Sequence, residues 1–176
     1  LEKHSSVVPD SRFQFHFEPA REPADSLHPL WYFQDLMTGS IELSSFERRI
    51  DAALASTERF RCETILISSE NLCNLYLKHA LDFHRVLAAK FRRVQVIYYI
   101  RRQDDWILSA WQQWGYRNGK RLETSADYCM RNGLAAFLAN ARHFQEIYGE
   151  DSLSLIPLHR KALPDGGLLV DFYRRL

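Results

Sequence analysis

Nowhere in the 176 residues does an apolar run approach the ~20 residues that a helix needs to cross a bilayer, and no signal peptide is visible. Cysteine is scarce: Cys62, Cys73 and Cys129 form no CxxC pair, and an odd count of three suits buried, unpaired thiols in a reducing, cytoplasmic setting. The net charge of +1 lacks the basic excess of a general nucleic-acid binder. None of the seven histidines falls in an HxxxH or HExxH pattern with suitable partners, which argues against a zinc site. There is no internal repeat and no low-complexity segment.

What is present is a 46% apolar composition, enough for one domain with a substantial core. Residues 1–43 read as an irregular, aromatic-rich segment punctuated by Pro9, Pro19, Pro23 and Pro29, expected to pack on the body or form a lid. A helix is expected over 45–59, with Ser44 and Glu47 as its capping box and Phe46, Ile50, Ala53 and Leu54 on one face. A short strand follows at 64–68 and a helix over 71–90. Strands at 94–100 and 153–156 then alternate with helices over 104–117, 134–148 and 168–176, with Gly149 stopping the second of these. This alternation implies βαβ units and a parallel sheet, although three strands are few for a doubly wound domain.

The richest segment is 94–113, VQVIYYIRRQDDWILSAWQQ. A run of β-branched and aromatic residues stops at Arg101-Arg102, and Asp104 and Asp105 open an amphipathic helix, as the helix macrodipole favours. Ser109 lies eight residues after Arg101, so the spacing places it about one turn inside that helix. A guanidinium, a hydroxyl and helix amides beyond a strand's carboxyl end suit a phosphate monoester better than a carboxylate. A plainer alternative is an arginine at a sheet edge and a serine on a helix face. Lys90, Arg92, Arg93, Arg102, Arg117, Lys120 and Arg121 add positive charge to the same third of the chain, as a local anion site or as a solvated surface.

The run Arg101-Arg-Gln-Asp-Asp105-x-x-x-Ser109 resembles the 3′-phosphate-binding motif of sulfotransferases that use 3′-phosphoadenosine 5′-phosphosulfate (PAPS), and bacterial sulfotransferase-like proteins in particular. Arg101, Asp105 and Ser109 match in register, while the family's frequent Asn-Pro after the arginine is Arg102-Gln103 here. Residues 65–72 (ILISSENL) are similar to the family's second strand and turn, and 148–172 to its C-terminal Gly, strand-to-Pro and Leu-x-x-Asp-Phe pattern. The resemblance implies a three-layer α/β/α domain with a central parallel sheet, similar to P-loop nucleotide-binding folds. It also implies sulfonate transfer from PAPS, without a metal, to a hydroxyl or amine of a carbohydrate or small molecule. Arg101 and Ser109 would hold the 3′-phosphate. The family's Gly-rich, Lys- and Thr-containing loop for the 5′-phosphosulfate has no counterpart in 1–176, where Lys3-His4-Ser5-Ser6 comes nearest; the loop is therefore expected upstream, with 1–176 a single partial domain.

Ser68-Ser69-Glu70 stands where open α/β sheets gather ligands, and Glu70 is the candidate base for an acceptor hydroxyl. Equally, Ser69 can cap the next helix while Glu70 favours its first turn. His16 and His28 are secondary candidates for the base. Trp106, Trp111, Trp114 and Tyr116 crowd the helix that carries Ser109 and read as core, unless one faces outward to stack on a base or sugar. The turn at 117–121 (RNGKR) reads as a solvated loop or a contact for an anionic ligand. Two rivals stand beside sulfonate transfer: a non-catalytic relative that binds a nucleotide or a partner, and a P-loop kinase, for which no GxxxxGK[ST] is present.

Overall fold

The computed structural model describes residues 13–15, 29–60, 64–165 and 167–176. The chain divides into two compact units, Leu1–Phe91 and Arg92–Leu176. Both are α/β, mostly helical, each with a small parallel sheet among the described residues.

In the first unit β1 (Phe13–Phe15) pairs in parallel with β2 (Thr64–Leu66), and the described residues also form helices α1 (Pro29–Thr38), α2 (Leu43–Phe60) and α3 (Ala80–Lys90). Helix α1 falls inside the stretch expected to be irregular. Pro29 is its first residue, where a missing N–H costs nothing, and Gly39 ends it at φ +88°. Helix α2 begins at Leu43, so Ser44 lies inside it and its hydroxyl donates to the Glu42 carboxylate at 3.2 Å; the expected capping box does not form.

The expected helix over 71–90 is regular only from Ala80. Residues Glu70–Cys73 form a 3₁₀ turn, capped by Ser69 Oγ accepting from the Asn71 amide at 3.2 Å. Asn74 then leaves helical geometry at ψ 57°, tied by its side-chain amide to Asn71 at 2.8 Å. The apolar stripe of Leu72 and Leu75 mimicked a helix, but local side-chain bonds won. The buried core of the described residues includes Leu36, Met37, Phe46, Ile50, Leu75, Ala80, Phe83 and Leu87; Phe83, with no exposed surface, packs against Phe46 (centroids 4.7 Å apart) and Phe33 (5.7 Å).

In the second unit β3 (Val96–Ile100) pairs in parallel with β4 (Leu153–Pro157), Tyr98 opposite Leu155. Between them run α4 (Gln103–Ala110), α5 (Leu122–Arg131) and α6 (Phe137–Tyr148), and α7 (Gly167–Arg175) follows β4. Helix α5 was not expected. Among the described residues the strands pair as two separate two-stranded ladders, not as one continuous sheet. Tyr98, buried at the centre of β3, packs edge-on against Phe137 and Phe144 of α6 and takes a hydrogen bond from Asn140 at 3.3 Å. Gly149 closes α6 at φ +98°, a conformation that costs a side-chain-bearing residue energy.

Candidate functional site

The carboxyl end of β3 turns directly into α4. The Leu158 amide donates to the Ile100 carbonyl at 2.6 Å, which carries the ladder to the strand's last residue. Arg102 stands before the helix in extended geometry (φ −55°, ψ 142°), and its carbonyl accepts the first helical bond from the Trp106 amide at 2.9 Å. Gln103 Nε2 donates to the Ala135 carbonyl at 2.8 Å and pins this turn to the segment before α6.

Arg101 is exposed and reaches along the helix, its Nη1 donating to Ser109 Oγ at 3.4 Å. The structure thus brings together the two residues that the spacing paired, though not as drawn. Ser109 is the next-to-last residue of the eight-residue α4, deeper than one turn, and the long arginine side chain spans the difference. One of the guanidinium's five N–H donors is used in this contact. An anion with several oxygens would draw on both groups at once.

The helix amides are a different matter. Arg102 grips Asp104 through both Nε, at 3.1 Å, and Nη2. The Asp104 carboxyl is held below its ordinary range, first by that guanidinium and then by the amides of Asp105 and of Asp104 itself. An internal carboxylate therefore competes for the amides expected to face an external anion. Sequence spacing gave no sign of this clamp, because Arg102 and Asp104 are only two residues apart and lie outside the helical i, i+4 rule.

Beyond Ala110 the helix loosens into a π-helical turn, Trp111–Gly115, and a 3₁₀ turn, Tyr116–Asn118. Trp111 Nε1 donates to the Lys120 carbonyl at 2.8 Å, and a Cβ on Gly115 would stand 2.6 Å from Trp111 Cδ1 and 2.7 Å from Ser125 Oγ. Trp106 packs edge-on against Phe137, whereas Trp114 is 54% exposed, so of the tryptophans expected in the core one faces solvent. In the 117–121 turn Lys120 lies 5.9 Å over the Tyr128 ring and Arg121 pairs with Glu123 at 3.5 Å.

Glu70 belongs to the first unit, at the exposed start of the 3₁₀ turn, with its carbonyl accepting from Cys73 Sγ at 3.3 Å. Ser69 is the cap beside it, as the plainer reading held. His16, His28 and Lys3-His4-Ser5-Ser6 lie outside the described residues. His84 is buried, with Nε2 2.9 Å from the Leu72 carbonyl; a carbonyl only accepts, so Nε2 carries the proton. Burial pulls its pKa down to about 4, against that hydrogen bond, and leaves the ring neutral at pH 7. His79 and His143 sit in surface pairs with Asp82 (3.7 Å) and Glu146 (3.2 Å). Cys129 is a buried free thiol, its pKa raised by that burial. Among the described residues no three His, Cys, Asp or Glu side chains gather as metal ligands.

One polar cluster escaped the sequence reading. Asp171 of α7, 6% exposed, accepts from Tyr99 of β3 at 2.8 Å and from Arg175 at 2.7 and 3.0 Å. Arg175 chiefly, and Tyr99 after it, hold the Asp171 carboxyl below its ordinary range; burial and that bond push Tyr99 up to about 12. This cluster fastens α7 to the strand whose end carries Arg101. The i, i+4 spacing of Asp171 and Arg175 was readable, but the strand partner was not. No helix of the described residues is long and apolar enough to cross a membrane. No protein-family model, no curated protein and no solved structure matches this chain.

Proposed function

We propose that the protein transfers a sulfonate group from 3′-phosphoadenosine 5′-phosphosulfate to a hydroxyl or amine of a carbohydrate or small-molecule acceptor. The observation that supports this reading is the Arg101–Ser109 contact at the carboxyl end of β3, a guanidinium and a hydroxyl 3.4 Å apart in the register of a 3′-phosphate motif. In this reading the two side chains clasp the 3′-phosphate, the feature that separates PAPS from other adenosine nucleotides. The domain is then the three-layer, P-loop-like α/β fold of such transferases. Glu70 is assigned as the base that takes the acceptor's proton, an exposed carboxylate following a strand. Bound PAPS would supply an activated sulfonate whose transfer requires positioning and fixed cations more than a metal.

A second reading, a non-catalytic nucleotide- or partner-binding relative, draws on the Arg102–Asp104 clamp, which already places a carboxylate at the helix amides.

Calorimetric titration of 3′,5′-ADP, with 5′-AMP as control, tests the phosphate assignment. Loss of the charge-assisted contact in Arg101→Ala should weaken 3′,5′-ADP by roughly ten- to a hundredfold and leave 5′-AMP unchanged. Ser109→Ala should cost less, about tenfold or under. Equal affinity for the two nucleotides would refute the assignment. Transfer of labelled sulfonate from PAPS to an acceptor panel, with Glu70→Gln in parallel, separates the catalytic reading from the binding one.

A further inference from the structure

Helix α7 reverses the usual polarity of a surface helix. Asp171, at its middle, is 6% exposed and turns to β3, where it accepts from Tyr99 and from Arg175 of its own helix. Leu169 and Tyr173, two residues before it and two after, are 68% and 66% exposed. Spaced i, i+4, they form one stripe on the side of the helix away from the ion pair. A surface helix ordinarily turns its large apolar side chains to the core and its charges to water. An isolated exposed leucine carries no message, but here a carboxylate takes the core side and the apolar stripe is left outside.

The stripe is self-complementary. Leu169 and Tyr173 are symmetric about Asp171, so a second α7 laid antiparallel sets Leu169 of each copy against Tyr173 of the other, and a twofold axis closes the contact. Charge favours the same direction. Exposed Asp165 precedes the helix and exposed Arg174 lies in its last turn, and neither takes part in an ion pair among the described residues. Antiparallel pairing brings Asp165 of each copy to the end that carries Arg174 of the other, and it opposes the two helix dipoles. A parallel arrangement would set Arg174 against Arg174.

We infer that α7 is the surface through which two copies of this chain associate, antiparallel about a twofold axis level with Asp171. Leu169 against Tyr173 forms its apolar centre, and Asp165 against Arg174 its charged ends. One face of a nine-residue helix is small beside the ~1,200–2,000 Å² of stable complexes, so the dimer is weak and forms with rising concentration. The inference draws on neither Arg101 nor Ser109 and stands apart from the sulfonate-transfer reading.

Sedimentation velocity of the full chain over a concentration series tests it, with Leu169→Glu and Tyr173→Lys as variants. Both side chains are exposed, so the melting temperature should stay unchanged. The wild type should sediment faster as concentration rises, and each variant alone should associate about tenfold more weakly or worse. An equal mixture of the two variants should associate again, because position 169 of one faces position 173 of the other and the new charges are opposite. Arg174→Glu should weaken the dimer several-fold, and adding Asp165→Arg to it should restore the association. A wild type that stays monomeric up to millimolar concentration overturns the inference. So do variants that associate like the wild type, a mixture no stronger than its components, or a stripe that responds only to phosphatidylcholine–phosphatidylserine vesicles.

Discussion

The two units reach stability by different chemistry. The first is built on aromatic burial: Phe83, with no exposed surface, packs against Phe33 and Phe46, and the buried His84 is kept neutral. The second joins helix to strand through charge, with Asp171 ionised between Tyr99 and Arg175. An apolar core penalises a proton gained, whereas an ionic latch requires that none be gained. The units should therefore respond to different perturbations and fail in acid at different pH.

The largest single effect should come from Phe83→Ala, which removes a ring with no exposed surface. A loss of about 3–5 kcal/mol is expected in denaturant unfolding, with hydrogen-exchange protection falling first in α2 and α3. Protection lost equally in α6 and α7 would show that the units unfold as one.

Acid sharpens the contrast. His84 has a folded pKa of about 4 against an ordinary 6.5, so the first unit's advantage is full above pH 6.5 and is lost as pH falls from there toward 4. That gap corresponds to on the order of 3 kcal/mol. Asp171 also has a depressed pKa, but from a carboxylate's starting value: its contribution is intact above about pH 4 and is lost only below. Exchange measured peptide by peptide from pH 7 to 3 should show α3 loosening before α7. Asp171→Asn should remove the late, α7-specific step and leave the early one. Simultaneous loosening would break the distinction.

The smallest effect is Tyr99→Phe, which deletes one of the three donors to Asp171 and keeps the ring. About 1 kcal/mol should be lost, confined to the second unit and smaller than the loss in Asp171→Asn.

Much of the second unit was readable in its sequence. The apolar run ending at Arg101, the aspartates opening α4 and Gly149 closing α6 each carry a local physical signal, and the structure follows them. So was the Arg101–Ser109 pairing, because strand end and helix start fix both residues within a short span. The misreadings share a cause: a partner distant in sequence, or a local bond that periodicity does not register. Residues 71–79 kept an apolar period, yet Asn71 and Asn74 bond each other and the His79 amide donates to the Met37 carbonyl at 2.8 Å. Prolines and aromatics before residue 43 concealed α1, whose Leu36 and Met37 are wholly buried. The Tyr99–Asp171 bond joins residues 72 apart, beyond any spacing rule.

The central claim is that Arg101 and Ser109 form a 3′-phosphate clasp, and amide NMR with 3′,5′-ADP addresses it most directly. Saturable shifts should concentrate at the carboxyl end of β3 and along α4, vanish in Arg101→Ala and stay absent with 5′-AMP. Shifts confined to the first unit, or a response to 5′-AMP as strong as to 3′,5′-ADP, would contradict it.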